Sequence, residues 1–305
     1  MTEKYTNNTL IYSLTSKYIF ARIKSMRYTF AQFKAEYPDD DACLEAVFQH
    51  RFGDLKYCPA CGAETKFYRV KKRQCYSCMH CGYQLHPLAN TIFRKSSTSL
   101  WNWFYAIYLF SVAKNGVSAK ELERHLGVTY KTAWRMAKQI RLLMAQDTDK
   151  LTGVVEADET YIGGRTDSIR RFRNKSAVLG VAEKNGQAKA VVADGVSATT
   201  ALPFLKANVE RGSMIHTDES RIYSRVKWEF DHETVNHGLK EYVREGISTN
   251  TIEGFWSQMK RSIDGTYHVV SPKYLQHYVD EFVFRYNFRD VAVCPVLLVR
   301  ASRPS

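Results

Sequence analysis

Long apolar runs are missing from this 305-residue chain. Spanning a bilayer takes roughly 18 uninterrupted apolar residues. The most apolar segment, Leu100 to Val112, is shorter and is broken by Asn102 and Ser111. The basic, apolar, then small-residue order of a secretion signal is also missing from the N-terminus. Together these absences predict a soluble cytoplasmic protein with no membrane partner. Its seven cysteines would then not all pair as disulfides, so their spacing becomes the informative feature. Acidic residues are scarce in one half only. Residues 1–150 hold 23 Lys/Arg against 12 Asp/Glu, a surplus of 11, whereas residues 151–305 hold 21 against 19. The first half therefore reads as a polyanion-binding module and the second as a domain that concentrates carboxylates. The length predicts two or three domains.

Four of the cysteines form two C-x-x-C pairs, each followed by glycine. They are Cys58-Pro59-Ala60-Cys61-Gly62 and Cys78-Met79-His80-Cys81-Gly82, separated by sixteen residues. That spacing suits a Zn²⁺ site of four thiolates. The trailing glycines permit a tight turn on each side of the ion. Four thiolates leave no open coordination position, so the metal reads as structural. Cys75 also makes a C-x-x-C with Cys78, and Cys75 or His80 is an alternative ligand. Cys43 and Cys294 are isolated and read as packed side chains. The intervening Lys66–Arg73 segment alternates aromatic and basic residues, as in a strand with one basic face or a solvated hairpin.

Downstream, Ser99 to Lys114 reads as a helix with an aromatic face of Trp101, Phe104, Tyr105 and Tyr108, ended at Asn115-Gly116. Ser118 and Glu121 form a capping box for a second helix, and Gly127 breaks it. Thr129 caps a third helix reaching about Ala145. This is the pattern of a helix-turn-helix, with the third helix in the major groove. The residues offered to DNA are Tyr130, Lys131, Arg135, Lys138 and Arg141; the alternative is a plain helical hairpin with a solvated basic face.

The second half carries three acidic segments: Val154–Glu159, Ile215–Asp218 and Asn250–Trp256. The first two deliver Asp158 and Asp218 at or just past the ends of short strands. Strands are also expected over Ala177–Ala182 and Ala188–Ala193, joined by a turn at Lys184-Asn185-Gly186. A helix is expected over Thr199–Val209. The third segment reads as a helix from Asn250 to Ile263, with Glu253 and Lys260 two turns apart on one face and Asn250 near it. Acids brought together from two strand ends and a helix can hold two divalent ions, which drive in-line displacement at a phosphodiester. Glu159 is a competing ligand, although adjacent strand residues point to opposite faces. Asp218 has an alternative reading as a helix cap.

Taken together, these motifs are similar to those of bacterial insertion-sequence transposases of the zinc-ribbon, Merlin-related group, a branch of the DDE transposases. The resemblance rests on Cys58/Cys61 with Cys78/Cys81; Leu126-Gly127-Val128 with Thr132-Ala133-Trp134; Asp158-Glu159-Thr160-Tyr161-Ile162-Gly163-Gly164; and His216-Thr217-Asp218. It continues through Asn250-Thr251-Ile252-Glu253-Gly254-Phe255-Trp256 with Lys260-Arg261, and Tyr278-Val279-Asp280-Glu281-Phe282 with Phe284-Arg285-Tyr286-Asn287. It implies a ribonuclease-H-like, integrase-like catalytic domain using two Mg²⁺ or Mn²⁺ ions. It implies Asp158 and Asp218 as metal ligands, with Glu253 or Asn250 as the third active-site member. A carboxylate binds Mg²⁺ more strongly than an amide, which favours Glu253. Lys260 is placed to meet DNA phosphate. The partners implied are terminal inverted repeats and target DNA, bound by a homo-oligomer at the nucleoid. The basic loop from Arg165 to Lys175 is a further candidate for phosphate contact.

The expected architecture is thus multidomain α+β. It comprises a mainly helical segment over 1–50, a zinc ribbon over 51–95, a helix-turn-helix region over 96–148 and a mixed α/β ribonuclease-H-like domain over 149–290. Residues 1–27 carry no readable motif. The apolar segment 291–305 departs from the polar ending expected of the group and reads as a divergent tail from a frameshift or truncation. Two other readings compete with a transposase: a DNA-binding regulator using only the first half, and a nuclease without strand transfer.

Overall fold

A computed structural model describes residues 28–147, 149–163, 175–235 and 248–304. Residues 1–27 lie outside these, as do Arg170, Arg171 and Arg173 of the basic loop. The chain divides into two compact units. The first comprises the chain up to Ala113, Ala119–Leu143 and the segment from Asp290 onward; the second comprises Lys114–Ser118 and Met144–Arg289.

The first unit opens with α1 (Phe30–Glu36) and α2 (Asp40–Phe52). Thr29 and Gln32 form a capping box at the start of α1, and Asp39 caps α2 through the amide of Ala42. Three short antiparallel strands follow in the order β1 (Phe67–Arg69), β2 (Tyr76–Cys78), β3 (Gln84–Leu85). Next comes α3 (Leu100–Val112), whose Trp103, Phe104, Ile107 and Phe110 are buried. Tyr108 on α3 stacks on Phe33 of α1, with ring centroids 4.9 Å apart. The pair α4 (Ala119–Leu126) and α5 (Tyr130–Leu142) is joined through Gly127, whose φ of +62° is the left-handed conformation a tight helix end requires. Thr129 caps α5 by accepting from the amide of Thr132. Leu122, Met136 and Ile140 form the buried stripe of the pair.

The segment expected to be a divergent tail is helical and packed. Residues Val293–Ser302 form a helix, α9, packed against α2 and α3. Cys294, Leu297, Leu298 and Ala301 are buried, and their i, i+3, i+4, i+7 spacing is that of an amphipathic helix. Arg300 donates to the carbonyl of Leu143, and Ser302 meets His50 at 3.2 Å. The apolar character of the segment is therefore core material of the first unit. Leu297 is fully buried. Leu297→Ala is expected to cost about 2–5 kcal/mol, measured as a lower chemical-denaturation midpoint. An unchanged midpoint would mean that α9 is not docked in solution.

The second unit is built on a five-stranded sheet in the order β6-β5-β4-β7-β8. The strands are β4 (Val154–Gly163), β5 (Lys175–Glu183), β6 (Ala188–Ala193), β7 (Met214–Asp218) and β8 (Asp231–Val235). β4, β5 and β6 form an antiparallel meander, whereas β7 runs parallel to both β4 and β8. Asn185, at φ +64°, makes the expected turn between β5 and β6. The one strand not anticipated is β8. Alternation of side chains sorts the two faces. Val155, Ala157, Val181 and Ile215 pack with α6 (Ala198–Asn208) on one face. Ile162, Val178 and Ala182 pack on the other with α7 (Asn250–Ser262) and α8 (Leu275–Asn287). Among the described residues no helix is long and apolar enough to cross a membrane.

Candidate functional site

The register of β4 on β7 decides how the acids meet. Val154 pairs with Met214, Val155 with Ile215 and Glu156 with His216. Continuing this offset of 60 sets Asp158 level with Asp218 on the neighbouring parallel strand. Both lie two residues beyond a paired position, so their side chains leave the same face of the sheet. That face is the one α7 covers, and α7 carries Glu253 in its first turn. Gly180 pairs with Asp158 across β4 and β5. A Cβ at Gly180 would lie 2.4 Å from the Trp256 ring, so the missing side chain lets α7 lie close against the sheet here.

The electrostatics of the cluster match this placement. The carboxyl of Asp158 is pushed up to about 7, first by burial and then by the negative charges of Glu159, Asp218 and Glu253. Hard carboxylate oxygens crowded in this way fit a divalent Mg²⁺ or Mn²⁺ ion. Glu159 leaves the opposite face and accepts from the Tyr223 hydroxyl at 3.1 Å. Asp218 accepts from the Ser220 amide at 3.0 Å, ahead of a 3₁₀ turn at Arg221–Tyr223. Asn250, Glu253 and Lys260 are all exposed on α7. Phe255, Trp256 and Met259 are buried on its other side. Glu253 also accepts from the Thr249 hydroxyl at 2.8 Å.

Sequence reasoning missed Glu156, which looked only like an interruption in an apolar run. Glu156 is fully buried, and its carboxyl group receives the N-terminus of α7. It accepts from the amides of Thr251 and Ile252 at 2.6 and 3.0 Å, and from the hydroxyls of Ser248 and Thr251 at 3.0 Å each. The first turn of a helix has amides with no partner inside the helix, and the dipole there favours an acid. Glu156 thus ties the helix bearing Glu253 to the strand bearing Asp158. Glu156→Ala leaves several buried donors without acceptors, at about 1–3 kcal/mol for each unsatisfied group. The expected outcome is a loss on the order of 3 kcal/mol in denaturant titration, with a milder loss for Glu156→Gln. Wild-type stability in Glu156→Ala would refute the anchoring role.

The cysteine cluster lies in the first unit. The sulfur atoms of Cys58, Cys61, Cys78 and Cys81 all lie within 4.8 Å of one another. Cys58 and Cys81 are 3.7 Å apart, and Cys61 and Cys78 are 4.0 Å apart. A tetrahedron with Zn–S arms of about 2.3 Å has edges of about 3.8 Å, so the four thiols fit a structural Zn²⁺. Two matching turns hold them, in which the amides of Gly62 and Gly82 donate to the carbonyls of Cys58 and Cys78. Both glycines have positive φ, +69° and +73°. Cys75 is not a member, since its thiol points to Gln84 at 3.7 Å. His80 is not among the grouped side chains either; its backbone amide donates to the Cys78 sulfur at 3.4 Å.

On α5, Tyr130, Lys131 and Arg135 are exposed and Lys138 is half-buried over Trp134. Arg141 departs from expectation. It is buried, with its guanidinium over the Phe110 ring at 5.3 Å, so the helix turns it toward α3 and away from the exposed face.

Comparison with known proteins gives concordant results. Residues 150–287 match the ISXO2-like transposase domain, and residues 38–84 match a transposase zinc-ribbon domain. An uncharacterized protein in transposable element ISH50 of Halobacterium salinarum is 28% identical over 263 residues, covering 78% of this chain and 87% of that protein. An uncharacterized transposase-like protein of Haemophilus influenzae is 26% identical over 102 residues, covering 33% of this chain and 81% of its own length.

Proposed function

We propose that this chain, which matches an ISXO2-like transposase domain over residues 150–287 and a transposase zinc ribbon over 38–84, is a transposase that binds the ends of an insertion sequence and catalyses metal-dependent cleavage and strand transfer of DNA. The observation that supports this reading is that Asp158 and Asp218 share the sheet face covered by α7, the helix that carries Glu253, and that Asp218 and Glu253 raise the Asp158 carboxyl. The order of the mixed sheet, an antiparallel meander continued by two parallel strands, supports a ribonuclease-H-like fold. The α4–α5 pair supports a helix-turn-helix whose exposed Tyr130, Lys131 and Arg135 face the major groove.

Asp158, Asp218 and Glu253 would hold Mg²⁺ or Mn²⁺, which neutralises charge developing on the phosphate and lowers the pKa of bound water. Asn250, one turn before Glu253 and exposed, orients the DNA. Lys260, two turns along the same helix, meets a backbone phosphate. In the first step water attacks the phosphodiester at the element end, one P–O bond forms, another breaks, and a 3′-hydroxyl leaves. In the second, that hydroxyl attacks a target phosphodiester with the same exchange of bonds. The two ends are brought together by an oligomer of the chain on DNA at the nucleoid.

The test is cleavage of duplexes carrying the gene's own flanks in Mg²⁺ or Mn²⁺, with the new 3′ ends mapped. Cuts at one defined boundary, followed by joining to a second DNA, are expected. Cuts without joining would leave a nuclease, and binding without cuts would leave a regulator.

A further inference from the structure

The first unit holds a groove of about 530 Å³ between the strands of the cysteine-bearing region and the segment leading to α3. Arg73, His86, Arg94 and Lys95 contribute to its lining, and no Asp or Glu does. Arg73, Arg94 and Lys95 are exposed and make no ion pair with any described residue. The wall is well held. Arg51 of α2 donates to the carbonyls of Pro87 and Ala89, and Thr91 donates to the Leu88 carbonyl at 2.8 Å. Lys95 itself has φ +53°, a left-handed conformation that glycine or asparagine adopts more readily. Lys95 is exposed and lines the groove. At one end, Ser96 accepts from Arg135 of α5 at 3.3 Å. The cations therefore run from the tip of the β1–β2 turn to the exposed face of α5.

A line of unpaired cations with no facing acid matches a polyanion, and its continuity with α5 selects an extended one. We propose that this groove seats the sugar-phosphate backbone of duplex DNA and sets the register in which α5 meets the bases. Phosphate contacts of this kind position a protein without reading sequence. The inference rests on the transposase reading and adds a site to it.

The experiment is anisotropy titration of the full chain against two labelled duplexes, one carrying the gene's own flank and one scrambled, across a range of salt. Each cation that meets a phosphate contributes about one unit to the slope of log K against log salt. Arg73→Ala/Arg94→Ala/Lys95→Ala, with its zinc content checked, is expected to flatten the slope by about three on both duplexes. The charge-conserving Arg73→Lys/Arg94→Lys/Lys95→Arg is expected to keep it. Arg94→Ala and Lys95→Ala, each expected to remove about one unit, serve if the triple variant loses zinc. A wild-type slope in the zinc-loaded alanine variants overturns the groove while leaving the transposase reading intact. Wild-type protein that binds neither duplex overturns both.

Discussion

Asp158→Ala and Asp218→Ala are each expected to lose at least about a thousandfold in metal-dependent cleavage, roughly 4 kcal/mol of barrier, while binding end DNA as wild type does. The reason lies in the charge of the cluster. Asp158 is pushed up to about 7 by burial and by three acidic neighbours, so the site favours any bound cation that offsets the repulsion. Removing one carboxylate removes both a ligand and part of that attraction. The groups proposed to bind DNA lie on α5, in the other unit, which is why binding is expected to survive. Cleavage and binding assays on the same preparations separate the two effects. Equal cleavage by wild type and both variants would end the catalytic assignment.

A pH dependence goes with it. The carboxyl of Asp158 titrates above its ordinary 3.8 in the folded chain, so the folded state holds the proton more tightly than the unfolded one. Its contribution to stability is present at acid pH and is lost as pH rises from 3.8 to about 7. A divalent ion competes with that proton. The rise in melting temperature on adding Mg²⁺ is therefore expected to be larger near about pH 8 than near about pH 5.5, and to vanish in Asp158→Ala. A rise independent of pH in wild type would place the ion elsewhere.

Cys58→Ser is expected to unfold the cysteine-bearing strands and abolish end binding. Structural Zn²⁺ contributes about 10–16 kcal/mol in small thiolate sites, comparable to the whole stability of a typical domain. The strands it organises contain three, three and two residues, too few to persist without the crosslink. The signature is regional. Hydrogen exchange over residues 57–85 is expected to rise toward that of an unfolded chain, while strands β4, β5, β6 and β7 keep their protection. A chelator acting on wild type should reproduce it. Protection retained over 57–85 after zinc removal would show that packing alone holds the region.

Legibility in the sequence followed distance along the chain. The C-x-x-C-G pairs were readable because each turn closes within five residues, and its geometry is local. The strand, turn and helix signals around Asp158, Asp218 and Glu253 were readable for the same reason. Arg141 was misplaced because helical phase is local but the partner that captures it, Phe110, is not. The spacing of Cys294, Leu297, Leu298 and Ala301 announced an amphipathic helix, but α2 (Asp40–Phe52) and α3 (Leu100–Val112), which it covers, lie far earlier in the chain.

The sequence by itself determined the two C-x-x-C-G pairs, the basic and acidic halves, the acid-bearing segments and the resemblance these compose; it put Asp158 at a strand end, whereas β4 runs on to Gly163 and holds it mid-strand. Only the tertiary structure decided which thiol stands outside the cluster, which strand pairing gives Asp158 and Asp218 one sheet face and why a buried Glu156 belongs under α7. The physical reason is that turns and helices follow from neighbours a few residues apart. Register and burial instead follow from pairings between distant segments, and a shift of one residue would turn every side chain to the other face.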